Sequence, residues 1–206
     1  MARVNVYIDG FNLYYGALKL TPFKWLDLSR VCQALLPADT LQEINCFTAR
    51  VSARPSKPNS ARDQGLYIRA LKTLPNLTVH YGHFLTHTVA MYLAAVTPPK
   101  RVWVEKTEEK GSDVNLASHL IRDAFQNRFE VAVLVTNDSD LAEPVRIVTQ
   151  ELKMPVGILN PHEHHSKELQ RYATFVKRIR QGHLTSSQFP ENLKDAKGDF
   201  SKPPDW

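Results

Sequence analysis

Five consecutive apolar residues, Val131 to Val135, run directly into Thr136-Asn-Asp-Ser-Asp140. An apolar stretch this short and this rich in Val reads as a strand buried on both faces, as strands are inside a parallel sheet. Leu141, Val145, Val148 and Leu152 then recur at helical spacing, so Asp138 and Asp140 occupy a strand-to-helix turn. In an open parallel sheet such turns lie at the carboxyl ends of the strands, where ligands bind. The beginning of the chain repeats the pattern, with Val4 to Ile8 as a strand and Asp9-Gly10-Phe11-Asn12 as the turn after it. Two acid-bearing strand ends in one chain point to a site.

The remaining segments alternate in the same way, which argues for an α/β fold with helices on both faces of a mostly parallel sheet. Leu13 to Leu20 reads as a short helix capped by Asn12, and Leu26 to Leu36 as a second, ended by Pro37. Glu43 to Val51 is the second strand. After a loop over Pro55 to Ser60, Leu66, Ala70, Leu71 and Leu74 form one apolar helix face. Leu77 to Leu85 is the third strand. The segment ending at Glu105, after Pro98-Pro99, is an added strand that folds back on the third as a hairpin. Lys106 to Gly111 reads as a charged loop, and Ser112 or Asp113 begins a helix on Val114, Ala117, Ile121, Ala124 and Phe125. Met154 to Leu159 is the last central strand, with a final helix between Ser166 and Ile179. The pattern is lost near Gly182, which divides the chain into a domain of residues 1–181 and a tail or arm of residues 182–206 carrying Phe189, Phe200 and Trp206.

A chain of 206 residues with 43% hydrophobic and 23% charged content has the make-up of a soluble globular domain. No apolar run approaches a membrane span, and the polar, Arg-containing start does not read as a signal peptide. A cytoplasmic protein without a membrane partner is expected. Cys32 and Cys46 have no partners at metal-ligand spacing and read as small buried hydrophobes. The formal net charge of +5 favours a polyanionic partner. Arg50, Arg54, Lys57 and Arg62 cluster in one segment, either as contacts to a nucleic-acid backbone or as a solvated loop and helix face.

If the first strand and the Val131 strand are neighbours, their turns share one crevice and Asp9, Asp138 and Asp140 converge there, with Asp113 on the same side of the sheet. Crowded carboxylates repel, and either some bind protons or a cation neutralises them. A set of oxygen ligands without His or Cys suits Mg²⁺ or Mn²⁺. Such ions clamp phosphate oxygens and activate water, so the chemistry to expect is phosphodiester hydrolysis.

Three blocks carry a family resemblance: Val6-Tyr-Ile-Asp9-Gly-Phe-Asn12-Leu-Tyr-Tyr15, Glu109-Lys-Gly-Ser-Asp113-Val-Asn-Leu-Ala117 and Val135-Thr-Asn-Asp138-Ser-Asp140-Leu141. They resemble the signature blocks of the NYN domain, of the PIN-like nuclease superfamily, over roughly residues 3 to 180. The resemblance implies a three-layer α/β/α, PIN-like fold, adjacency of the two acid-bearing strands, a metal-binding acidic site and RNA as substrate, with DNA as a second option. Residue by residue it implies Asp9, Asp113 and Asp138 as catalytic metal ligands, with Asp140 completing the set directly or through water. Asn12 would hold a phosphate or an acid in place, and Thr136 would orient an acid or a ligand water.

Each residue also has a structural explanation. Asp9 beside Gly10 can make a turn, Asn12 or Asp113 can cap a helix, and Asp140 with Glu143 resembles a capping box. Asp138 has no such alternative. Phe11, Tyr14 and Tyr15 are core residues or base-stacking platforms. The His162, His164 and His165 cluster lacks the spacing of a helical zinc motif and falls in a loop. Two other functions fit the chain: a non-catalytic NYN module that binds RNA or a protein, and a small-molecule phosphatase or nucleotidyl-transferring enzyme. The sequence leaves oligomeric state open.

Overall fold

The computed structural model describes residues 1–53 and 57–206. Six parallel strands form the central sheet: β1 (Arg3–Asp9), β2 (Thr40–Thr48), β3 (Leu77–Tyr81), β6 (Val131–Val135), β7 (Val156–Asn160) and β8 (Phe175–Arg178), in the order β3-β2-β1-β6-β7-β8. Alternation along the inner strands divides the core in two. Val4, Val6 and Ile8 of β1 and Val133 and Val135 of β6 face one cluster, whereas Tyr7, Ala132 and Leu134 face the other.

The first cluster is roofed by α1 (Gly10–Leu13), which continues as a π-helical turn over Tyr14–Leu18, and by α2 (Leu28–Leu35) and α3 (Ser60–Leu71). Asp27 caps α2 by accepting from the amides of Ser29 and Arg30. The second cluster is covered by α4 (Ser112–Phe125), α5 (Ala142–Arg146) and α6 (Lys167–Tyr172). The arrangement is therefore α/β/α, with both faces of the inner strands buried, and no described helix is long and apolar enough to cross a membrane.

Strand order reverses at the sheet centre. The chain moves outward from β1 through β2 to β3, returns by α4, and leaves in the other direction through β6, β7 and β8. The β1–β6 boundary is thus the switch point, where neighbouring loops splay apart and leave a crevice.

The structure departs from the sequence-based expectation in five places. The third strand stops at Tyr81 rather than Leu85. Gly82 marks the break, since a Cβ there would lie 2.6 Å from the Lys110 carbonyl oxygen. Past this glycine the chain forms a separate antiparallel ribbon of β4 (His83–Tyr92) and β5 (Arg101–Lys110), so the stretch read as a charged loop is mostly strand. The second strand ends at Thr48, leaving Val51 outside it, where its amide donates to Gln64 Oε1. The helix expected up to Ile179 ends at Tyr172, and Phe175–Arg178 pairs with β7 as an edge strand. The cap of α1 is Asp9 and not Asn12.

From α7 (Gln181–Ser186) onward the chain packs back on the first cluster through a small hairpin of β9 (Asn192–Asp195) and β10 (Gly198–Ser201). Phe189 and Phe200 are buried edge-on against Trp25, and Trp206 lies against Tyr67. The Trp25 indole donates to the Pro190 carbonyl, and Arg69 grips Asp195 with two nitrogens.

Candidate metal centre

Asp9 is the last residue of β1 and Asp138 follows β6 by three positions, so parallel pairing of these strands delivers both acids to one sheet edge. Each turn is tight. A Cβ on Gly10 would lie 2.9 Å from the Phe47 carbonyl oxygen of β2, so only glycine lets the chain turn into α1 here. Asp9 is buried; its Oδ1 accepts from the Asn12 amide at 2.9 Å and its Oδ2 from the Thr136 hydroxyl at 3.2 Å. Thr136 in turn accepts from the Asp138 amide at 3.1 Å. The Asn12 side-chain oxygen accepts from the Asn137 amide at 2.8 Å. Two loops far apart in sequence are thereby stitched across the switch point.

Asp113 arrives from the opposite direction, in the first turn of α4. The cap of that helix is Gly111 in a left-handed conformation, φ 93°, so Asp113 is not the cap. Its carboxylate meets those of Asp9 and Asp138, with one oxygen from each of the three lying within 4.8 Å of the others.

The cost of this crowding falls on Asp9. Burial first, and then the charges of Asp113 and Asp138, push its carboxyl from 3.8 up to about 6, against the Asn12 and Thr136 hydrogen bonds that hold it down. Asp113 is also raised, by partial desolvation and by the charges of Asp138, Glu109 and Asp140. Lone carboxylates in such a place bind protons; a divalent cation reverses the balance. The donor set is all oxygen, which fits hard Mg²⁺ or Mn²⁺.

Asp140 is exposed and outside the three-acid group, although its charge reaches Asp113. The capping box expected from Asp140 to Glu143 does not form. Asp138, the residue for which the sequence offered no structural explanation, is the cap: its Oδ1 accepts from the Asp140 amide at 3.0 Å and starts a 3₁₀ turn over Ser139–Leu141. Glu143 is bound instead by Arg146.

The basic segment is divided. Arg50, just beyond β2, lays its guanidinium over the Tyr81 ring at 5.0 Å, and Lys72 approaches the same ring at 5.8 Å. With Thr73, Asp195 and Lys197 they line an open depression of about 300 Å³. Arg62 is bonded to Asp63, Lys57 is exposed, and Arg54 lies outside the described residues. Tyr15 is not a core residue: it is 60% exposed with Lys19 over its ring. Phe11 packs edge-on against Phe84 at the base of the ribbon.

Asn137 is the residue that sequence reasoning passed over. Its side chain accepts from the Ser166 amide at 2.7 Å and donates to the His164 carbonyl, which Asn160 also binds. The turns after β1, β6 and β7 are thus joined by Asn12, Asn137 and Asn160. The signal was available, an Asn at or just after three strand ends. The histidine segment is the loop that this network holds, with His165 Nδ1 against Asn160.

Comparison with known proteins agrees with this geometry. The curated 6-hydroxy-3-succinoylpyridine 3-monooxygenase HspA of Pseudomonas putida (strain DSM 28022 / S16) is 27% identical over 99% of this chain and 75% of its own length. A crystal structure of a protein of unknown function from Vibrio parahaemolyticus RIMD 2210633 has a similar fold, with a TM-score of 0.55 and 14% identity over 87% of this chain and 94% of that one. The NYN domain matches residues 3–179. With the switch-point acids in place and a match across most of its length, the chain belongs to the NYN domain family.

Proposed function

We propose that this protein is a metal-dependent nuclease that cuts RNA internally. The observation that carries the proposal is the meeting of Asp9, Asp113 and Asp138 from three separate elements within 4.8 Å. A bound Mg²⁺ or Mn²⁺ would neutralise a phosphate oxygen and make an attacking water more acidic. The chain's own contribution is to hold that site in shape. Thr136 and the Asn12 amide fix both oxygens of Asp9, the Asn12–Asn137 bond sets the spacing of the two loops, and Asp140 stands at the rim to accept from water. Arg50, at the end of β2 on the same sheet edge, is placed to meet a phosphate backbone. We place the activity in the cytoplasm, in keeping with free, buried Cys32 and Cys46.

Labelled RNA incubated with Mn²⁺ tests this. Wild type cleaves, EDTA stops it, and Asp9→Asn, purified in parallel, is inactive. Equal cleavage by wild type and variant would assign the activity to a contaminant. A second reading comes from HspA, whose similarity extends past the NYN match to 99% of this chain. It makes the protein an oxygenase of a hydroxylated pyridine. That reading requires oxidation of such a substrate with consumption of dioxygen and a reductant, and no effect of Asp9→Asn on RNA.

A further inference from the structure

We propose that the β4–β5 ribbon is an arm through which two copies of this chain pair. The inference does not depend on the nuclease reading. The ribbon leaves the sheet at Gly82, returns at Gly111, and touches the body chiefly at its base, through Phe84 against Phe11. An isolated two-stranded ribbon is marginal in water unless something covers it.

Its register sorts the side chains cleanly. On one face Val89 is opposite Val104 and Met91 opposite Val102, with Leu93 continuing the row. No charged residue interrupts that centre. Met91 is 48% and Leu93 41% exposed, and none of the five belongs to either core cluster. The other face is mixed, with Thr86, Thr88, Glu105 and Thr107 beside Trp103 and Tyr92.

Charge selects the occupant. Residues 83–110 carry four cations (Lys100, Arg101, Lys106 and Lys110) and three carboxylates (Glu105, Glu108 and Glu109), a net of +1, too little for an arm that grips nucleic acid. The charges are also separated lengthwise. The tip half holds Lys100 and Arg101, +2, whereas the base half holds the three Glu with Lys106 and Lys110, −1. A second copy laid antiparallel about a two-fold axis near Val89 and Val104 brings tip to base, so apolar centre meets apolar centre and opposite charges meet at both ends. A two-fold interface is self-complementary in this sense. Strands of ten residues are about 34 Å long. One face and one edge of such a ribbon on each copy approach the roughly 800 Å² per partner of a stable interface.

Sedimentation equilibrium of the full chain tests the proposal. Wild type should run at twice the monomer mass at micromolar concentration. The double variant Val102→Glu, Val104→Glu should run as a monomer with an unchanged far-ultraviolet spectrum of the body. As a second readout, Val89→Cys should join two copies by a disulfide under mild oxidation, the two native cysteines being buried. A monomeric wild type across the whole range overturns the proposal, as does a dimer that survives the double substitution or fails to cross-link at Val89→Cys. Unchanged mass together with a tenfold loss of RNA affinity in the double variant would assign the arm to nucleic acid instead.

Discussion

Replacing Asp9 with Asn separates the cost of the acid cluster from its use. Folding lifts the Asp9 carboxyl from 3.8 to about 6, so the folded protein binds its proton more tightly than the unfolded chain. A carboxyl raised in this way favours folding below its unfolded value, and that contribution is lost as pH rises through about 6. A shift of about two units corresponds to ~3 kcal/mol of destabilisation at pH 8, an upper value because burial sites relax. Asp9→Asn removes the penalty and keeps the geometry, since the amide oxygen still accepts from the Asn12 amide and the NH₂ faces Thr136. In EDTA at pH 8 the variant should be about 1–3 kcal/mol more stable than wild type, a rise in Tm of about 2–4 °C per kcal/mol for a chain of this size. At pH 4 the two should melt together. Adding Mn²⁺ reverses the ranking: at a hundred times Kd it stabilises wild type by ~2.7 kcal/mol and leaves the variant unmoved. Differential scanning fluorimetry at both pH values reads all of this. A variant less stable than wild type in EDTA at pH 8, or one that gains as much from Mn²⁺, would refute the reasoning.

Asp138→Asn, whose amide oxygen keeps the cap on Ser139–Leu141, should fold normally yet lose RNA cleavage by at least about a hundredfold in a gel assay. Asn137→Ala strands the Ser166 amide and unhooks the His164 loop, and should cost about 1–3 kcal/mol in urea unfolding. Arg50→Ala should weaken RNA binding across sequences alike and lower the salt slope by about one, as read by fluorescence anisotropy.

The strands with strong apolar runs were legible because burial on both faces leaves no choice of residue: Val131–Val135 is fully described by its sequence. Phe175–Arg178 was hidden because a four-residue edge strand carries half the pattern of an inner one, and Phe-Val-Lys-Arg suits a helix equally well. The ribbon was misread because its second strand alternates charged with apolar residues only near the tip, and Lys106 to Lys110 look like a loop until paired. At the site, the acids were visible as strand-end residues, but their roles were divided wrongly between Asp138 and Asp140. Either can start a turn after Thr136, and only the Thr136 bond to the Asp138 amide fixes which one caps. The Asn12–Asn137 link joins residues 125 apart, and no local pattern announces such a bond.

Calorimetric titration of Mn²⁺ into the purified chain, beside Asp9→Asn, Asp113→Asn and Asp138→Asn, bears most directly on whether these acids form one cation site. Saturable binding to wild type that weakens at least about tenfold with each single substitution is the expected result. Undiminished binding in all three variants would contradict it.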